Sequence, residues 1–272
     1  MKMNSKRKLL YKIIYIVSIL LIILSISYIV NFFSLKKEAI EESNLLNTME
    51  ANEQDKINNE ATLDENNVKQ EVEQYETERM KQVKNLQTEN EDIVGWLEIE
   101  DTKINYPVLQ GNDDEYYLTH NYKKEKTQKG SIFLSKDYNW EIPSSNLQIY
   151  GHNLGNGEMF QELLKYKDEE FYKQHPIIRF TTEKEDANYE IIAVFRSRVY
   201  YKTEKDVFRY YFFINAETEK EYNEFVENAK KASLYEIDAT AQYKDQLMTL
   251  STCSYHTEDG RFAIVARKIS QK

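Results

Sequence analysis

The chain has 272 residues, a net charge of −10, one cysteine and four histidines. That is room for one domain with a sizeable core plus flanking segments, and too little for two independent catalytic domains. Acidic residues outnumber basic ones 46 to 36, and no stripe of Lys and Arg of the kind that displaces counterions from a phosphate backbone follows the N-terminus, which excludes a nucleic-acid binder.

Residues 1–12 form a basic tail, with Lys2, Lys6, Arg7, Lys8 and Lys12 and no acidic side chain. Residues 13–33, IIYIVSILLIILSISYIVNFF, then run for 21 residues without a charge. As a helix this is about 31 Å, the thickness of a bilayer's hydrocarbon core. The run continues into Asn31-Phe32-Phe33-Ser34 without a small-residue cleavage site, which predicts a retained transmembrane anchor and not a signal peptide. The basic excess ahead of it predicts a single-pass protein of the cell membrane, with a cytoplasmic N-terminus and everything after residue 33 extracellular.

Residues 34–89 are rich in Glu, Asn, Lys and Gln, contain neither Gly nor Pro, and read as a polar, partly helical stalk. Toward its end Val68, Val72, Tyr75, Val83 and Leu86 fall near helical spacing. The stripe is too weak and too short-lived for a heptad, so it predicts a helix that docks on the following domain in preference to a dimerising coiled coil.

All seven glycines and all three prolines fall between Gly95 and Gly260, which sets a domain at residues 90–272. Its apolar runs are short and β-rich: TKINYPV, GSIFLS, LQIYG, IIRFTT, YEIIAVFRSRVYY, QLMTLST and RFAIVARKI. Many short strands separated by turn residues favour a closed or nearly closed β-barrel. Helical spacing interrupts them at 157–166 and again at 217–233, where Tyr222, Phe225, Val226 and Ala229 line one face of an insertion between late strands.

Cys253 is the only cysteine, so it has no partner for an intramolecular disulfide. It ends the run QLMTLST, where rigid backbone would hold a thiol at a strand end. A nucleophilic thiolate needs electropositive help, and His is its usual supplier. Of His120, His152, His175 and His256, His152 is placed like a loop catalytic residue, in YGHNLGNG directly after a strand. His256, three residues from Cys253, sits in the polar turn SYHTEDG and reads as solvated, while His120 and His175 read as structural or exposed. Acyl transfer also needs donors aimed at a developing oxyanion, a role suited to an arginine. Arg261 and Arg267 share a strand face and are equal candidates by position. No metal-ligand spacing and no phosphate-cradling glycine loop is visible, so no cofactor is expected. The pair Asp113-Asp114 reads as a helix N-terminus or a solvated turn.

The segment TLSTC at 249–253, followed by Arg261 in GRFAIVARK, resembles the signature of the sortases, a family of cysteine transpeptidases. The resemblance extends through NEDIVGWLEIEDTKINYPVLQGNDDEYYLTHNY, GSIFLSKDYN and YGHN, covers nearly all of residues 90–270, and is nearest to class B. It implies a mostly β fold, a closed eight-stranded sortase-type barrel with N-terminal helices and the helical insertion at 217–233. It also implies Cys253 as nucleophile, His152 as acid and base, and Arg261 as stabiliser of oxyanion or substrate; Ser251 and Thr252 either shape the substrate groove or pack the strand. Ser254, Tyr255 and His256 depart from the family, where an acidic residue often follows the cysteine.

The activity so implied is cleavage of a C-terminal sorting motif, Asn-Pro-x-Thr or Leu-Pro-x-Thr in kind, after its Thr through a thioacyl intermediate. The partners are secreted proteins bearing the sorting signal, a peptidoglycan amine as acceptor, and the membrane through the N-terminal helix. The rivals are a pilin polymerase of the same family, a simple cysteine peptidase, and a noncatalytic surface scaffold with a buried, inert Cys253.

Overall fold

A computed structural model describes residues 77–269. Eight strands close into a barrel: β1 (Ile93–Glu98), β2 (Asn105–Leu109), β3 (Ile132–Leu134), β4 (Asn146–Tyr150), β5 (Ile177–Thr181), β6 (Asp186–Arg198), β7 (Leu247–Cys253) and β8 (Gly260–Ile269). The order around the barrel is β1-β2-β3-β4-β7-β8-β6-β5. The pairs β2–β3 and β4–β7 are parallel and the other six antiparallel. Closure leaves no strand edge unpaired, the physical reason for expecting a barrel from so many short strands.

Alternation divides β6, β7 and β8 between two apolar clusters. Phe262, Ile264 and Ala266 of β8, Met248 and Leu250 of β7, and Leu147 and Ile149 of β4 fill the interior. Ala263 and Val265 of β8 and Phe195 of β6 belong instead to a second cluster on the outer face. That face is covered by the insertion between β6 and β7.

The insertion carries helix α3 (Glu219–Ala232; α1 and α2 are described below), whose N-cap Thr218 accepts a hydrogen bond from Glu221 N at 3.2 Å. The face expected from the sequence is the buried one: Tyr222, Phe225, Val226 and Ala229 are each at most 5% exposed. Phe225 stacks on Phe213 with ring centroids 3.9 Å apart. At about 1.5–3 kcal/mol per large buried apolar side chain, this face anchors the insertion over β6 and β8.

Helix α1 (Glu78–Glu89) is capped by Thr77 and packs Met80, Val83 and Leu86 into buried positions. Its Arg79 lies 4.9 Å from the Trp96 ring of β1. Asn90 ends it, donating through Nδ2 to Tyr122 O at 2.7 Å and to Tyr117 Oη at 3.1 Å. The helical stretch expected at 157–166 is a 3-10 segment, Phe160–Lys167, followed by the short helix α2 (Glu169–Gln174).

The expected membrane topology requires correction. Among the described residues no helix is long and apolar enough to cross a membrane. Helices α1, α2 and α3 have 12, 6 and 14 residues, against the ~20 apolar residues a bilayer demands. A single-pass protein of the cell membrane with a cytoplasmic N-terminus and an extracellular catalytic domain is therefore not supported, nor is a membrane partner held through an N-terminal helix. The basic tail 1–12, the charge-free run 13–33 and most of the stretch 34–89, Val68, Val72 and Tyr75 included, lie outside the described residues.

Candidate active site

Alternation along β7 sends Met248 and Leu250 into the barrel and leaves Thr249, Ser251 and Cys253 in the opposite row. Cys253 is a free, half-buried thiol at the last position of the strand. Directly across the antiparallel ladder stands Arg261 of β8. Its Nη1 donates to the carbonyls of Gly260 at 3.0 Å and Asp259 at 3.3 Å, which holds the guanidinium along the β7–β8 turn and leaves the Nε and Nη2 N–H groups for other acceptors.

His152 reaches the same end of the barrel from the other side of β7. The parallel β4–β7 register ends at the pair Tyr150 and Ser251. His152 is two residues beyond the first, as Cys253 is two beyond the second. The half-buried His152 places Nε2 2.8 Å from the carbonyl oxygen of Leu118. A carbonyl only accepts, so Nε2 carries a proton and Nδ1 is the nitrogen left for chemistry.

Two phenols complete this end of the outer face. Tyr210, fully buried, shares a 2.7 Å hydrogen bond with Ser251 Oγ. Burial pushes Tyr210 and Tyr150 well above the ordinary phenol range, against a smaller opposing pull from the positive charge of Arg261 on both.

Ser251 and Thr252 are each 2% exposed. Their hydroxyls are engaged within the protein, Ser251 with Tyr210 and Thr252 as donor to Gly151 O at 2.7 Å. They brace the strand that ends in Cys253 on both its faces.

The remaining candidates separate in space. Arg267 pairs with Leu247 at the start of β7 and donates to Glu190 Oε2 at 2.8 Å. Six residues of strand, about 20 Å, divide it from Arg261. His256 lies in the exposed turn, with Nδ1 3.0 Å from Ser254 Oγ, and burial together with the Arg196 guanidinium holds its pKa below the ordinary imidazole value. His120 stacks on the Tyr116 ring at 4.0 Å, and His175 closes α2 against Phe171. Among the described residues no group of three or more His, Cys, Asp or Glu side chains could hold a metal.

A profile of the Sortase domain family matches residues 97–269, well over half of the chain. The chain belongs to the sortase family. It is 36% identical to sortase B of Listeria monocytogenes over 192 residues, 70% of this chain and 75% of that protein. To sortase B of Staphylococcus aureus it is 33% identical over 190 residues, 69% and 75% of the two chains. The fold superposes on a Staphylococcus aureus sortase B–substrate complex with a TM-score of 0.63 at 30% identity, covering 71% of this chain and 87% of that one. Clostridium perfringens sortase B gives a TM-score of 0.62 at 30% identity, over 69% and 99%. The chain is thus a class B sortase, a cysteine transpeptidase, with the closed eight-stranded barrel of that class. The scaffold reading falls with this assignment.

Four further residues frame the site in this sortase: Leu118, Asn153, Tyr150 and Tyr210. Leu118 contributes through its backbone carbonyl and Tyr210 comes from the insertion, so neither carries a local signal. Asn153, by contrast, directly follows His152 in YGHN.

Proposed function

We propose that the chain cleaves a sorting motif of the Asn-Pro-x-Thr or Leu-Pro-x-Thr kind after its Thr and transfers the acyl group to a peptidoglycan amine. The placement of Cys253 opposite Arg261 in one ladder, with His152 two residues beyond the end of the adjoining strand, is the observation that carries this reading.

The Cys253 thiolate attacks the Thr carbonyl carbon, forming a C–S bond while negative charge gathers on the carbonyl oxygen. Arg261, always charged and still rich in donors, stabilises that oxygen. Collapse breaks the scissile C–N bond, and the leaving amine takes a proton from Nδ1 of His152, whose Nε2–H remains on Leu118 O. An acceptor amine then attacks the thioester, a new C–N bond forms, the C–S bond breaks, and the amine's proton passes to Nδ1. Water in place of the amine would give plain hydrolysis.

Product analysis of the full-length protein with a motif peptide, with and without a peptidoglycan-peptide amine, tests this reading. A ligated product that displaces hydrolysis as amine is added supports it. Hydrolysis alone at every amine concentration argues for a peptidase, and transfer only to the lysine of a purified pilin argues for a polymerising sortase.

A further inference from the structure

His152 is tied to the nucleophile's strand on both sides of itself. Before it, Gly151 N donates to Ser251 O at 3.2 Å and Gly151 O accepts from Thr252 Oγ1 at 2.7 Å, a continuation of the β4–β7 pairing. After it the ladder has ended, and a side chain takes over: Asn153 Nδ2 donates to the carbonyl oxygen of Cys253 itself at 3.0 Å, across 100 positions of sequence. Tyr255, two residues past the cysteine, closes the arrangement. The residue is 81% exposed, yet its hydroxyl donates to Asn153 O at 3.2 Å.

The loop between these ties has its own bracing. Asn153 bridges to Met159, and Phe160 N donates to His152 O at 2.9 Å. Asn153 is only 6% exposed, and its Oδ1 has no partner in the protein. An unpaired buried amide oxygen costs about 1–3 kcal/mol, so an amide here is a poor choice for stability alone. What the amide supplies is the one side-chain donor bond that links the residue after His152 to the backbone of Cys253.

We propose that Asn153, closed over by Tyr255, is a positioning residue for the transfer reaction, a clasp that keeps the His152 imidazole in register with the Cys253 sulfur. The inference rests on the roles given above to Cys253 and His152. The clasp acts through His152, so its loss slows proton transfer without loosening the hold on peptide. A misplacement of about 1 Å between reacting groups is worth ~10²-fold in rate, and partial loosening of the loop sets an expected effect of ~10-fold.

The test uses the full-length protein and a motif peptide, with kcat and KM measured for wild type, Asn153→Ala, Asn153→Asp and Tyr255→Phe, and Tm recorded for each. Asn153→Asp keeps the shape but replaces the donor with an acceptor. Both Asn153 variants are expected to lose about 10-fold in kcat with KM within about twofold of wild type, and Tyr255→Phe to lose about 3-fold. Wild-type kcat in either Asn153 variant, a change in KM alone, or a loss of rate that only tracks the loss of folded protein would overturn the proposal. Should both Asn153 variants fail to fold, Tyr255→Phe decides: a lower kcat at unchanged Tm supports the clasp, and an unchanged kcat removes it. Wild-type protein that acylates Cys253 while the variants match its rate removes the clasp alone, whereas wild-type protein that never acylates Cys253 removes the underlying reading as well.

Discussion

Cys253 and Arg261 form the last cross-strand pair of the β7–β8 ladder, so backbone pairing and not side-chain chance sets their separation. In the proposed reaction the Arg261 guanidinium stabilises the oxyanion that forms on a Cys253-bound acyl group. Arg261→Ala is expected to lower kcat/KM by ~10²–10³, and Arg261→Lys to recover only part, because a single ammonium lacks the planar fork. Arg267→Ala, which breaks the ion pair with Glu190, should lower Tm while leaving kcat within about twofold. Steady-state kinetics beside thermal unfolding separates the two arginines.

The histidines divide in the same way. His152→Ala is expected to slow single-turnover acylation by ~10²–10⁴, the usual worth of a positioned acid or base. His256→Ala removes an imidazole on the exposed turn and should leave the rate within about twofold. Equal effects of the two substitutions would contradict the assignment of Nδ1 of His152.

Gly260 begins β8 where the turn from Cys253 closes, with Ser254 N donating to Gly260 O at 2.9 Å. A Cβ at this position would overlap the carbonyl oxygen of Ser254. Gly260→Ala should cost about 1–3 kcal/mol in denaturant unfolding. It should also lower kcat by more than the loss of folded protein explains, since the same turn sets Cys253 against Arg261.

Asp186 offers a test of acid stability away from the site. Burial alone would raise its pKa, but a two-point ion pair with Arg179, at 2.8 and 2.5 Å, and the hydroxyls of Thr181 and Thr77 outweigh it and hold the carboxyl below its ordinary value of 3.8. A depressed folded-state pKa gives stability that is present above the unfolded value, about 3.9, and lost as the pH falls through the folded one. Arg179 is 43% exposed, so solvent screening limits the contribution to about 1 kcal/mol. Asp186→Asn should be less stable by that amount near neutral pH, and its Tm should fall less than that of wild type between about pH 5 and pH 3. Calorimetry over that range checks both statements.

Much of this architecture was legible because strands with one face inward alternate openly. In RFAIVARKI the inward Phe262, Ile264 and Ala266 and the outward Ala263 and Val265 can be read from the letters, as can the buried stripe of α3. Strand β1 was not singled out as a run, because Gly95 weakens its β signal. The glycine is there for a tertiary reason, since a Cβ would come within 2.6 Å of the Phe180 ring on β5. Position alone left Arg261 and Arg267 equal; the resemblance favoured Arg261, and the ladder pairs Arg261 with Cys253 but Arg267 with Leu247, at the far end of β7. The bond from His152 to the Leu118 carbonyl joins backbone to side chain across 34 positions, and no residue type announces such a contact. The tie from Asn153 to Cys253 spans 100 positions and was hidden for the same reason. The membrane topology rests on the hydropathy of residues 13–33 and the basic excess ahead of them, and no described helix supports it.

The central claim is that Cys253 carries the acyl group, and intact-protein mass spectrometry tests it most directly. Full-length wild type and Cys253→Ala would each be incubated with Asn-Pro-x-Thr and Leu-Pro-x-Thr peptides and quenched in acid. The account predicts a covalent adduct with the peptide portion ending in Thr, mapped to Cys253 in wild type and absent from Cys253→Ala, and lost on addition of an amine as ligated product appears. Peptide cleavage that persists in folded Cys253→Ala, or cleavage by wild type with the adduct mapped to another residue, would contradict it.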